Sequence, residues 1–256
     1  MTPHDLILRN CTTLEEFAEC VVLQKEVWGF SDAELVPLRI FSLAPKIGGQ
    51  VVGAWDGQEL VGFAMAIPGN RCGRPYLHSH MVAVKEGYRN IGLGRKLKLF
   101  QRDDAIARGY ELMEWTFDPL EIKNSYFNLE RLGAIARRYN VNQYGITNSP
   151  LQGSLPTDRL VAEWWMKSRR VATVLSAGRP TALVEDRAEV PHEIYEWKAD
   201  AATRSKAEEV QSRNREALQS GFSRGLSCLG YERDASGNGQ FLLGRWDEDW
   251  SYDPNS

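Results

Sequence analysis

Two histidines, His78 and His80, stand two positions apart in a run of alternating residues that is typical of a β-strand. Alternate residues of a strand point to one face, so the two imidazoles are expected about 7 Å apart at Cα. Because imidazole titrates near neutral pH, such a pair can take a proton from a reacting group. Glu114 and Asp118, around a later predicted strand, are second-choice bases and would need a pKa raised by burial.

Two other interpretations of the pair remain open. The histidines could be half-buried strand residues that hydrogen-bond to the backbone. They could also begin a metal site, but the sequence places no third ligand nearby, and we therefore predict no metal.

The predicted strand is followed by a turn with two glycines at the start of a predicted helix. The turn and its flanks are Arg89, Asn90, Ile91, Gly92, Leu93, Gly94 and Arg95. Glycine lets the backbone approach a ligand closely, and a helix N-terminus presents unpaired N–H groups and a partial positive charge to an anion. The glycine spacing fits neither the dinucleotide fingerprint nor the P-loop. The turn predicts a phosphate site; the alternative is a tight turn with solvated arginines.

The run V-A-V followed by R-x-x-G-x-G resembles the GNAT acyltransferase superfamily. The resemblance implies that this turn binds the pyrophosphate of acetyl-CoA or another acyl-CoA. It also implies that the strand backbone receives the pantetheine arm, at Met81, Val82, Ala83 and Val84. Asn124 and Phe127 are further candidates for contacting that arm. The H-x-H pair resembles the arylalkylamine branch, in which paired histidines act as bases.

One position departs from the family pattern. Many GNAT enzymes have a tyrosine four residues before the glycine of K-L-G-F, where it protonates the leaving thiolate; this chain has Leu129 there. Tyr126 could replace it, although a core tyrosine is the alternative. The runs WTFDPL, NSYFNLERLGA and LPTDRLVAEWW resemble a long subgroup of GNAT proteins that is linked to amino-acid acylation.

The elements that would position these residues indicate an α/β (α+β) protein. We expect the GNAT fold, a mixed and mostly antiparallel twisted sheet flanked by helices, over residues 1–168. A C-terminal extension, residues 169–256, is expected to pack on that core. Patterning and turn residues give the following elements, in chain order: a strand at 6–9, a helix from 14, strands at 50–55 and 59–68, a loop at 70–75, a strand from 76, a helix ending at Gly109, a strand at 111–117, a helix at 122–136, an irregular section at 137–156, a strand at 160–166, a helix at 199–225, and a hairpin of 226–232 with 240–246 before an acidic, frayed tail.

Composition excludes several other classes of protein. The chain has 256 residues, 43% of them hydrophobic, and a net charge of −3, which gives no electrostatic reason to expect nucleic acid or an anionic membrane. The four cysteines lack C-x-x-C spacing, so neither a zinc site nor a disulfide framework is expected. No signal peptide or long apolar run is present, and we expect a cytoplasmic protein.

Together these features predict an N-acyltransferase that uses an acyl-CoA and a small amine, with an amino acid as the favoured acceptor. Direct attack on the thioester needs no covalent enzyme intermediate. Two alternatives remain: a protein or ribosomal N-terminal acetyltransferase, and a non-catalytic acyl-CoA sensor. The residues leave the assembly state open, including a homodimer.

Overall fold

The computed structural model describes residues 6–146 and 154–251. The chain divides into two compact units, the first ending at Glu114 and the second running from Trp115 to Ser251. The proposed division into a core of residues 1–168 and an extension stays a prediction. Parts of two predicted stretches lie outside the described residues, namely 147–153 of the irregular section and 252–256 of the tail.

The first unit alternates strands with helices. Its elements are β1 (Ile7–Asn10), α1 (Leu14–Trp28), α2 (Leu38–Leu43), a 3₁₀ turn (Ala44–Ile47), β2 (Gln50–Asp56), β3 (Glu59–Arg71), β4 (Arg74–Val84), a second 3₁₀ turn (Glu86–Tyr88), α3 (Leu93–Ala107) and β5 (Leu112–Phe117), whose last three residues begin the second unit. The strand order is β1-β2-β3-β4-β5. Neighbours are antiparallel except β4 and β5, which pair in parallel at Leu77↔Met113 and His78↔Glu114.

This sheet has helices on both faces because its strands alternate apolar residues. Phe63 and Met65 of β3 point to the face that α1 covers, where they pack in one cluster with Phe17. Ala64, between them, points to the other face and packs with Leu93 and Leu97 of α3. The predicted mixed, mostly antiparallel sheet flanked by helices is confirmed.

Helix α1 begins where the sequence predicts. The Thr13 side chain accepts a hydrogen bond from the Glu16 backbone, and Glu16 bonds back to the Thr13 backbone, which forms a capping box. Gly29 ends the helix in the left-handed region. Two of its apolar residues are exposed, Leu14 at 58% and Val22 at 66%.

The loop predicted at residues 70–75 is wrong, because β3 and β4 form a continuous hairpin. Arg71 pairs with Arg74 across a two-residue turn. Both turn residues, Cys72 and Gly73, have positive φ, at 50° and 78°, as a type I′ turn requires.

The second unit contains a second group of strands. Its elements are α4 (Ile122–Tyr126), a π-helical turn (Phe127–Arg131), β6 (Ile135–Asn140), β7 (Arg159–Trp165), α5 (Arg169–Leu175), β8 (Asp186–Val190), α6 (Ile194–Ala199), α7 (Arg204–Ser223), β9 (Leu226–Arg233) and β10 (Gly239–Arg245). The strand order here is β7-β6-β9-β10-β8, with antiparallel neighbours. The predicted strand at 160–166 and the closing hairpin are confirmed.

The helix predicted over residues 122–136 is wrong in its second half. After the π-helical turn, Gly133 takes φ +77° and the chain enters β6, which replaces the predicted irregular section at 137–140. Side chains from later in the sequence take the carbonyls that a longer helix would use. The Trp164 indole donates to the Leu132 carbonyl at 2.7 Å, and Arg170 donates to the carbonyl of Gly133.

The last helix is part of the core, and the tail is more tightly packed than predicted. Helix α7 buries Val210 and Leu218 together with Asn214. The described part of the tail is not frayed: Glu248 accepts hydrogen bonds from the first backbone N–H groups of α5, and Trp250 stacks on Trp165.

Candidate functional site

Strand β4 contains a β-bulge at the histidine pair. Met65 of β3 is opposite Met81, and the next residue, Ala66, is opposite Ser79, so His80 is the extra residue of β4. The bulge changes the predicted alternation of side chains. His78, Met81 and Ala83 lie on the α1 face, because their partners in β3 are alternate residues, Ile67, Met65 and Phe63. Ser79 lies on the α3 face with Val82 and Val84. Ser79 and Met81, which a regular strand would place on one face, therefore lie on opposite faces.

The two imidazoles lie together, with ring centroids 6.0 Å apart. Burial, then the charges of His80, Lys98 and Arg71, lower the pKa of His78 to about 4. Burial also lowers the pKa of His80, although that residue is exposed as a whole; the larger shift is at His78. The expectation of unshifted histidines is corrected: both rings are neutral at pH 7 and can accept a proton.

Glu114 lies beside the histidines at the edge of the first unit. It is buried, with 1% exposure, and it is the register partner of His78. Arg71 approaches its carboxylate at 3.4 Å and lies over the ring of Tyr76 at 5.6 Å. The sequence did not single out Arg71, which sits in the segment that was predicted to be a loop.

A buried polar group lies on the opposite face of β4. Lys98 of α3 donates to the Ser79 hydroxyl at 2.7 Å, and that hydroxyl donates to the Gln101 side chain at 3.0 Å. All three residues are buried. The available signal was a polar interruption in the apolar stripe of α3, where Lys98 and Gln101 stand among Leu93, Leu97 and Ala105 on the buried face.

The glycine turn precedes α3 as predicted. Gly92 is the N-cap with φ 83°, Asn90 also has positive φ, and no side chain caps the helix. A Cβ at Gly92 or Gly94 would meet nothing within 4 Å, so the space in front of these backbones is open. Arg89 is exposed, and its Nε donates to the Val84 carbonyl at 3.2 Å, which ties the turn to the end of β4. This turn fits an anion such as a pyrophosphate.

The remaining candidates lie in the second unit. Asn124 is exposed in α4, where its side-chain oxygen accepts from Asn128, and half-buried Phe127 begins the π-helical turn. Leu129 is fully buried. Asp118 forms an ion pair with Lys198 at 3.2 Å, within the second unit.

The described residues contain neither a cluster of metal-ligating side chains nor a membrane-spanning helix. Residues 6–146 and 154–251 contain no group of three or more His, Cys, Asp or Glu side chains that could hold a metal ion. Across the same ranges, every helix is too short or too polar to cross a membrane.

The sequence matches a known family over part of its length. Residues 14–127 match the Acetyltransferase (GNAT) family, and these residues include β4, the glycine turn and α3. No curated protein matches the chain. The family resemblance is therefore confirmed for residues 14–127, which match the GNAT acetyltransferase family.

Several solved structures have a similar fold over about two thirds of the chain. The ribosomal-protein-S18-alanine N-acetyltransferase of Escherichia coli is 14% identical, with a TM-score of 0.51 over 64% of this chain and 95% of that chain. A proposed acetyltransferase of Acinetobacter baylyi is 15% identical, with a TM-score of 0.52 over 66% and 96%. A proposed acetyltransferase of Salmonella typhimurium, solved with its cofactor acetyl-CoA, is 16% identical, with a TM-score of 0.51 over 64% and 96%. At these identities the likeness shows the fold.

Proposed function

We propose that this acetyltransferase domain transfers an acyl group from an acyl-CoA to a small amine, with an amino acid as the favoured acceptor. The observation that carries the proposal is the pair of imidazoles, 6.0 Å apart, on the strand that leads into the glycine turn. One short stretch of chain thus supplies both a base and an anion site.

The donor would be held by the turn and by β4. The N–H groups at the start of α3, with Arg89 and Arg95 beside them, suit the pyrophosphate. The backbone of Val82–Val84 would receive the pantetheine arm. In an antiparallel pair, alternate residues of a strand point their N–H groups away from the partner, so β4 has donors that β3 does not use, and one of these could polarise the thioester carbonyl.

The acceptor amine must lose a proton before it attacks. Amines are largely protonated near pH 7, whereas both histidines are neutral there, so the proton can pass from the ammonium to an imidazole. His80 is the first choice because it is exposed and its pKa is less depressed than that of His78. A base with a pKa of about 4, such as His78, is too weak to hold that proton well.

The transfer then needs no covalent enzyme intermediate. The neutral amine nitrogen bonds to the thioester carbon, and the carbon–sulfur bond breaks with its electron pair going to sulfur. The surplus proton of the nitrogen passes to the leaving thiolate, which gives the amide and free coenzyme A. Ser79, the hydroxyl nearest to the histidines in sequence, is buried on the other face of the sheet from His78 and is held by Lys98 and Gln101. It is therefore badly placed to act as a nucleophile.

Kinetics of His80→Gln and His78→Gln test the proposal. Turnover of acetyl-CoA, measured as free thiol with a panel of amino acids, other amines and N-terminal peptides, should fall by about 10²–10⁴-fold in His80→Gln and by less in His78→Gln. Coenzyme A affinity by calorimetry should stay within about twofold, since neither residue belongs to the turn. His192→Gln, an exposed histidine of the second unit, is the control.

Three outcomes would contradict parts of the proposal. Wild-type protein that binds coenzyme A and cleaves acetyl-CoA with none of the panel is a sensor. Turnover with N-terminal peptides alone identifies a protein acetyltransferase. Full turnover in both single variants and in the double variant shows that the histidines are structural.

A further inference from the structure

The side chain between the two histidines is held by hydrogen bonds from helix α3, on the opposite face of the sheet from His78. Ser79 separates His78 from His80, and its hydroxyl is held by Lys98 at 2.7 Å and by Gln101 at 3.0 Å. Exposure of Ser79 is 3%, of Lys98 4% and of Gln101 zero. The hydroxyl can accept from the lysine and donate to the glutamine at once, so its hydrogen-bonding capacity is used in both directions.

The same helix is fixed to a second strand by polar contacts. Gln50 of β2 donates its side-chain amide to the Gln101 carbonyl at 2.9 Å and to the Asp104 carboxylate at 2.6 Å. Asp104 also forms an ion pair with Arg108 at 2.9 Å. The part of α3 that holds Ser79 is therefore itself held against the sheet.

A lysine at this place costs stability. Burial holds the pKa of Lys98 well below its usual range, because the charged form loses its hydration there. An apolar side chain of similar length, such as methionine, would pack beside Leu97 without that cost. A buried polar group with such a cost points to a role other than stability, and the hydroxyl that Lys98 contacts belongs to the residue between the two histidines.

The bulge makes such an anchor useful. An extra residue interrupts the regular ladder, so the paired backbone alone fixes the local direction of β4 less well. Because neighbouring side chains of a strand point to opposite faces, holding Ser79 on the α3 face directs the side chains of His78 and His80 away from that face. We propose that Lys98, acting with Gln101 through Ser79, is a positioning residue that holds the bulge of β4 and thereby orients both histidines. The proposal rests on the proposed function for its effect on turnover, but not for its effect on the histidines themselves.

The experiment compares Lys98→Met, Ser79→Ala and the double variant with wild type. Histidine titration by NMR reads the rings directly, since the chain has only four histidines. The groups that bear on His78 are His80, Lys98 and Arg71, whose charges lower its pKa, and Glu114, its register partner. We expect the resonances of both rings to move in each single variant, including Ser79→Ala, which changes no charge.

Kinetics with acetyl-CoA and the best amine of the panel supply the second measurement. Misplaced bases should lower kcat by about 10- to 100-fold, with KM for acetyl-CoA unchanged. The double variant should be no worse than Lys98→Met, because both changes break one interaction. Lys25→Met, an exposed lysine of α1, is the matched control.

Unchanged histidine resonances, midpoints and kcat in Ser79→Ala would overturn the proposal, and this variant decides the matter if Lys98→Met does not fold. Additive losses in the double variant would also overturn it. If no amine is acylated but the resonances move as expected, the proposed function fails while the positioning role stands.

Discussion

His78 and Glu114 point to the same face of the sheet, because they are register partners in the parallel pair of β4 and β5. The carboxylate is buried and faces Arg71 at 3.4 Å, whereas the neighbouring His80 is exposed. A group that is to receive a proton from an incoming amine must be reachable, and His80 meets this condition better than Glu114.

We therefore expect Glu114→Gln to lower turnover by less than about tenfold, against the 10²–10⁴-fold range of a lost general base for His80→Gln. Glutamine keeps the size of the side chain and removes the charge that Arg71 pairs with. Steady-state kinetics over pH 6–9 would compare the two variants. The reverse order of effects would make Glu114 the base.

Gly94→Ala separates ligand binding from folding. Gly94 has open space where a Cβ would stand and does not require positive φ, so alanine fits the free protein and should stabilise α3 by up to about 1 kcal/mol. The methyl group would occupy the space that a pyrophosphate needs, and we expect coenzyme A binding to weaken by about 1–3 kcal/mol. Calorimetry and thermal unfolding check the two effects; unchanged affinity would refute the phosphate site.

Gly92 is the less suitable position for this test. Its φ of 83° strains any other residue, so Gly92→Val would alter the turn as well as the ligand space.

The lowered pKa of His78 predicts a dependence of stability on pH. The folded-state pKa of about 4 lies below the ordinary histidine pKa of 6.5, so the unfolded chain binds more protons between these values and stability rises with pH. This contribution is complete above pH 6.5 and is lost as pH falls toward 4; at full size it is about 3 kcal/mol. Urea unfolding at pH 7, 5.5 and 4.5 should show a difference between wild type and His78→Gln that shrinks with acidity, and a constant difference would contradict the assignment.

Asp118 should matter for stability and not for turnover. Its partner Lys198 is 4% exposed and also contacts Glu121 at 2.8 Å. Asp118→Asn leaves that second contact, so we expect a loss of about 1–3 kcal/mol in the free energy of unfolding. Lys198→Met leaves two acidic groups without their cation and should cost about 3–5 kcal/mol. Thermal unfolding would show which of the two variants loses more stability. A large loss of kcat in a stably folded Asp118→Asn protein would make Asp118 a candidate base again.

Local signals predicted the part of the site that depends on local structure. Gly92 and Gly109 mark the two ends of α3, and the turn before it lies where the glycines indicate. The two histidines also lie together, as their spacing predicts.

The features that the sequence did not reveal depend on partners far away in the chain. The bulge at His80 exists only relative to the register of β3. The early end of the helix after Ile122 depends on Trp164 and Arg170, more than thirty residues later. Strand β6 was missed because its arginines give it a polar pattern, although Glu163 of β7 pairs with Arg137 and Arg138.

The bulge means that β4 carries one residue more than its pairing with β3 requires, and this residue is His80. Removing His80 altogether, in contrast to replacing it, would place Ser79 next to Met81 and leave the two strands in uninterrupted register, with Val82–Val84 still opposite the same residues of β3. The shortened strand would lose the proposed base and gain a regular ladder. At this position the chain can have either the proposed base or a regular ladder, and deletion of one codon exchanges the first for the second.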